Sequence, residues 1–355
     1  MKRFFLILSI FLFLAPKSCA IEEILPDFEE IEKPFLNKII DQKKIEFEAG
    51  IVNKIEFGAN YKGYVDFTYY NEKDDLGTSY PFSIEPYIHS YFGDNKNQIR
   101  VAFMPTKDVS EYESRVGAMI TDLYYIRKFN ENHEVLIGNS RVPIGFEGGL
   151  GNYALPFVQR SQIANNFGNA RALGIRFRGN INKFDYDLGT YSSTRYLQHL
   201  NDGGEFVGWL GYSPFKDKEN YFKNLKLGAG LNYGRQGENY TVLSTGVQWD
   251  YKKVFASAEY GFAQNYNGSS GYKSGKAQGV NATLGYNLTD KLQVLARYDI
   301  FDPHMSIDNN SIKQYTAGIN YFVIGQRLRF TLNYIFEQQN NNNKNKIMFL
   351  TQILI

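Results

Sequence analysis

From Ile55 to Tyr70 the chain alternates without a break. Ile55, Phe57, Ala59, Tyr61, Gly63, Val65, Phe67 and Tyr69 share one face, and Glu56, Gly58, Asn60, Lys62, Tyr64, Asp66, Thr68 and Tyr70 share the other. A period of two sends successive side chains to opposite sides of a strand. The run is far longer than the about 5–6 residues of an ordinary soluble strand. The pattern returns along the chain. Ile99, Val101 and Phe103 oppose Arg100, Ala102 and Met104, and Leu173, Ile175 and Phe177 oppose Gly174, Arg176 and Arg178. Near the end, Leu328, Phe330, Leu332, Tyr334 and Phe336 oppose Arg327, Arg329, Thr331 and Asn333.

Read in this way, the sequence predicts sixteen strands, at 54–70, 80–92, 97–105, 115–127, 133–143, 171–179, 183–192, 205–213, 223–234, 240–250, 253–264, 275–287, 290–301, 311–323, 326–338 and 345–355. Most approach the ~9–11 residues a tilted strand needs to cross a bilayer. Short connections at 93–96, 180–182, 251–252, 288–289 and 324–325 alternate with mostly longer ones at 71–79, 106–114, 144–170, 193–204, 265–274, 302–310 and 339–344. Two connections break the rule, a short one at 235–239 and a long one at 214–222. An even strand count with short turns at one end and longer loops at the other is the mark of a transmembrane β-barrel. The fold class expected is therefore all-β, an antiparallel up-and-down barrel. A secreted sandwich would have shorter strands and fewer tyrosines.

Composition supports this reading. Aromatic residues make up 16% of the 355-residue chain, yet the mean hydropathy is −0.39. Lys2 and Arg3 precede an apolar run from Phe4 to Pro16, and Ser18-Cys19-Ala20 offers a small-residue cleavage site. That is the layout of a secretory signal peptide, expected over residues 1–20. Residues 21–53 are expected to form an N-terminal periplasmic segment, and 54–355 the barrel. The leader carries Lys2, Arg3 and Lys17 and no acid, so the remainder has 39 − 3 = 36 basic and 37 acidic residues. A nucleic-acid binder should be globally basic, and this chain is not. The single cysteine lies in the leader, which excludes a disulfide framework for the rest. No cofactor or metal is expected.

Sixteen strands enclose an interior too wide for side chains to fill, so it should hold water. The polar strand face then lines a pore. The longest connection, 144–170, is the third outer loop. It carries Leu150, Tyr153, Leu155, Phe157 and Val158, which are badly placed in water and fit a loop folded inward against the wall. Nine of the fourteen arginines fall between Arg100 and Arg195. Between 136 and 182 the bases are Arg141, Arg160, Arg171, Arg176 and Arg178, with Glu147 the one acid, a net charge of 5 − 1 = +4. Arginine stays charged and binds phosphate or carboxylate through a rigid fork. With Arg100, these six are the candidate pore and anion-binding residues. Asp185 and Asp187, on the adjacent strand, are placed to neutralise Arg176 and Arg178.

The runs R-V-P-I-G-F-E at 141–147, F-V-Q-R-S at 157–161 and R-x-x-G-I-R at 171–176 resemble the phosphate-selective porin O and P family. Ile144 stands where that family often has Phe, and Gln159 where Glu is usual. The resemblance implies an outer-membrane porin of a Gram-negative-type bacterium, a homotrimer of sixteen-stranded barrels set in outer-membrane lipid. It also implies an arginine-lined route, matched here by Arg141, Arg160 and Arg171, that favours phosphate or polyphosphate. Two rival readings are a general nonselective porin and an outer-membrane barrel enzyme. His89, His133, His199 and His304 are far apart in the sequence, and no G-x-S-x-G or H-E-x-x-H run is present.

Overall fold

The structure is a computed structural model that describes residues 45–49, 52–71, 75–105, 115–193, 203–267, 271–340 and 342–355. Sixteen antiparallel strands close into a barrel. They are β1 (Val52–Tyr70), β2 (Asp75–Ser79 and Phe82–Phe92), β3 (Asn97–Phe103), β4 (Ile120–Lys128), β5 (His133–Arg141), β6 (Arg171–Ile181), β7 (Phe184–Ser192) and β8 (Gly204–Tyr212). Then come β9 (Lys226–Gln236), β10 (Glu238–Tyr251), β11 (Val254–Asn267), β12 (Gly271–Asn287), β13 (Leu292–Asp302), β14 (Ile312–Ile324), β15 (Leu328–Gln339) and β16 (Asn342–Leu354). Each pairs with the next, and β16 returns to β1, with Lys344 opposite Tyr70 and Leu354 opposite Asn60. A short strand, Ile45–Ala49, pairs with β1 just beyond that seam, Ile45 opposite Phe57.

The barrel is inside-out relative to a soluble protein. Leu284 is 57% exposed and Phe177 48%, whereas Arg329 and Asn333 are fully buried. On β14 the exposed positions include Tyr315, Ile319 and Tyr321. The two tyrosines are six residues apart, about 20 Å along a strand. Apolar side chains between aromatic belts on the outer face are what a hydrocarbon layer requires. Turns at one end are tight. Asn182 and Lys252 adopt left-handed φ values of 54° and 52°, as two-residue hairpin turns demand.

Four expectations need correction. Arg115–Met119 forms a helical turn before β4, not the start of a strand. The connection expected at 71–79 is shorter, because Asp75–Ser79 pairs with β1. Strands at the other long-loop hairpins also run on, to Asn267 and from Gly271, and from Asn342. Ladder hydrogen bonds need only backbone, so pairing continues after the apolar alternation has ended. Finally, β2 is split at Tyr80-Pro81, where proline has no N–H to give the ladder.

Candidate functional site

Residues 142–170 leave β5 and fold into the lumen. The turn inward rests on glycines. Gly145 has φ 72°, and a Cβ there would lie 1.9 Å from Glu259 Oε1. A Cβ on Gly148 would lie 2.6 Å from the Gly168 Cα, so the two ends of the loop touch backbone to backbone.

A loop inside a barrel carries backbone polar groups that need partners. The wall supplies them. Arg329 donates to the Leu155 carbonyl at 2.9 Å and to Gln352 Oε1 at 3.0 Å. Arg297 donates to the carbonyls of Gln159 and Arg160 at 3.1 and 3.2 Å, and forms an ion pair with Asp299 at 2.7 Å. Lys62 donates to the carbonyls of Asn152 and Val158 at 3.2 and 2.8 Å. Asn333 Oδ1 accepts from the Val158 N–H at 2.8 Å, and Asn320 donates to the Pro156 carbonyl at 3.0 Å. Glu259 accepts from the Phe146 N–H at 3.2 Å. Apolar pads finish the dock. Phe157 packs with Phe255 and Leu295, and Val158 with Ile335, Met348 and Leu350. Leu155, Phe157 and Val158 are thus buried against the wall, while Leu150 and Tyr153 are half-buried.

The six candidate arginines divide. Arg160 is buried within the loop, donating to the carbonyls of Glu147 and Leu150, both at 2.5 Å, and to Asn152 Oδ1 at 3.1 Å. Desolvation pulls its pKa down to about 10, so it stays charged at neutral pH. It braces the loop. Arg100 pairs with Asp122 at 3.2 Å and lies over the Tyr87 ring at 4.2 Å. Arg171 bridges Asp122 at 3.1 Å and Glu85 at 3.2 Å. Arg176 pairs with Asp187, and Arg178 with Glu134. Arg141 stands directly opposite Arg171 across β5 and β6 and donates to Asn169 Oδ1 at 3.1 Å.

The expected neutralisation by Asp185 and Asp187 is therefore half right. Asp187 takes Arg176, but Asp185 pairs with Lys226, and Glu134 takes Arg178. The sequence count of +4 also shrinks. Arg160 and Glu147 cancel within the loop; with Arg100 added, Arg100, Arg141, Arg171, Arg176 and Arg178 meet Glu85, Asp122, Glu134 and Asp187, leaving 5 − 4 = +1. All four of those acids lie outside the 136–182 span that was counted. Below the loop, a cavity of about 820 Å³ at the short-turn end is lined by Leu150, Arg178, Lys183, Asp185, Trp209 and Lys226 among others.

The alternation places Arg329 on the polar face but gives no sign that it and Arg297 hold the loop. The available signal was their position on β13 and β15, strands whose other inward residues are mostly uncharged.

Residues 236–352 match the family model for phosphate-selective porin O and P. The matched span is the wall from β10 to β16 that holds the loop, and it lies outside the arginine-rich stretch. No curated protein matches the chain. Among solved structures, the anion-selective porin from Comamonas acidovorans is 12% identical, with a TM-score of 0.60 over 85% of this chain and 99% of that one. OmpF of Salmonella typhi, complexed with daunomycin, is 13% identical, with a TM-score of 0.63 over 87% and 100%. The outer membrane channel DcaP of Acinetobacter baumannii is 10% identical, with a TM-score of 0.60 over 86% and 99%. At such identities the likeness speaks for the fold. The chain is a porin-fold barrel of a Gram-negative outer membrane, and its residues 236–352 carry the pattern of the phosphate-selective porin O and P family.

Proposed function

We propose that this barrel is a passive, water-filled channel for small hydrophilic solutes, with a preference for small anions such as phosphate. One observation carries the reading. The inward loop is docked on one wall, and the wall it faces bears Arg141 on β5, Arg171, Arg176 and Arg178 on β6 and Arg100 on β3, one more base than the four acids they meet. Basic side chains along a narrow passage concentrate anions. The family description and the Comamonas relative support the same sign of selectivity. The proposal includes a homotrimer, a signal peptide over residues 1–20 and a periplasmic segment over residues 21–53. It assigns no enzymatic activity.

The pairing of four arginines with carboxylates favours a second reading, a general pore with a transverse field and little ionic preference. The reversal potential of the purified protein in a planar bilayer under a KCl gradient separates the two. Chloride preference, with phosphate reducing the chloride current, supports the proposal. Cation preference or none leaves the general pore. Lipid hydrolysis by the reconstituted protein would reopen the enzyme reading.

A further inference from the structure

The structure assigns anion selection to one residue, Arg141, rather than to the arginine series as a whole. This inference rests on the anion-channel reading above and locates its determinant. An ion pair at about 3 Å presents a dipole to its surroundings, and salt screens what remains within about 8–10 Å. Arg100 and Arg171 with Asp122 and Glu85 sum to zero. Arg176 with Asp187 sums to zero, and so does Arg178 with Glu134. Arg160 is turned into the loop. Arg141 alone among the six candidates is half-buried with only a neutral partner among the described residues, the Asn169 carboxamide.

Among the described residues its other donors meet no partner. Guanidinium has five N–H groups in a fixed fork, and Arg141 spends one on Asn169 Oδ1. The same carboxamide keeps its own N–H groups. Asn169 is exposed, so fork and amide together offer a donor set for an oxyanion, phosphate or carboxylate. The position suits a filter. Arg141 ends β5 at the long-loop end, which in such barrels is the outer end. It is also the last residue before the inward loop. A solute from outside meets it before it meets Arg176 and Arg178 with their carboxylates. Arg171 directly opposite adds no net charge, since Asp122 and Glu85 already engage it.

The test compares full-length wild type with Arg141→Gln, Arg141→Lys and the double variant Arg176→Gln/Asp187→Asn in planar bilayers. Reversal potential under a KCl gradient and phosphate block of chloride current are both read. Folding of each variant is checked by its heat-sensitive migration in detergent. For Arg141→Gln, chloride preference disappears and phosphate block weakens roughly tenfold, the scale of one lost charge-assisted hydrogen bond. For Arg141→Lys, chloride preference stays and only the block weakens, because charge remains and the fork is gone. The double variant behaves as wild type in both readouts. Anion selectivity that survives in Arg141→Gln and fails in the double variant overturns this inference and leaves the channel reading standing. A wild type without anion preference removes the anion-channel reading and the inference with it, and leaves the general pore.

Discussion

Two walls of the barrel use charge for opposite ends. The wall from β10 to β16, with β1, buries its inward polar side chains beneath the loop, and Arg329, Asn320, Thr331 and Asn333 have no exposed surface. There cations and amides bind backbone carbonyls and N–H groups, and the result is a fixed loop. The wall from β2 to β7 faces that loop and keeps its arginines and carboxylates in half-exposed pairs, such as Arg178 and Glu134. There charge shapes the field of a wet passage. The same alternating sequence pattern produces both. What differs is whether anything covers the polar face. Position in the fold, more than residue type, therefore decides whether an arginine is an anchor or a lining.

That contrast predicts a stability effect on one wall and a selectivity effect on the other. The largest effect is expected for Arg297→Met. It strips Asp299 of its ion pair at a fully buried site, and such losses cost about 3–5 kcal/mol. The loop should undock, seen as larger and noisier single-channel currents and as tryptic cleavage at Arg160. Phe157→Ala empties the pad formed with Phe255 and Leu295 and should weaken loop docking by a similar ~3–5 kcal/mol. Chemical denaturation followed by loop proteolysis would measure it. Asn333→Ala leaves the Val158 N–H without its acceptor, for about 1–3 kcal/mol, with a modest rise in current noise.

On the facing wall Asp187→Asn removes a charge from a mostly covered pair but leaves Arg176 an amide acceptor, so its stability cost is modest, about 1–2 kcal/mol. Its reversal potential should nevertheless shift toward anions, since Arg176 loses its counter-charge. Equal loss of loop docking from Asp187→Asn and Arg297→Met would dissolve the distinction between the walls.

Much of this was legible in the sequence. Strict alternation fixed the sixteen strands, because a side-chain period of two is a local property. The apolar residues of 144–170 announced an inward loop, because Leu155, Phe157 and Val158 need cover. The pairing of the arginines was not legible. Asp122, Glu134 and Asp187 reach their partners across neighbouring strands, and register sets those contacts. Glu85 reaches Arg171 from β2, farther still around the barrel. Strand ends were also misread at the long-loop hairpins, where Asn- and Gly-rich polar stretches keep pairing through backbone alone.

The seam between β16 and β1 sets the order of assembly. Every other ladder joins strands that follow one another in the chain, so each forms from neighbours. The seam pairs Leu354 with Asn60 and Lys344 with Tyr70, and must wait until the intervening strands are in register. Contacts so distant in sequence form late. Until then both edges offer unpaired N–H and C=O groups, which hydrocarbon does not tolerate. Closure and membrane entry are thus one event for this chain. Removal of β16 would yield no pore at all, rather than a leaky one.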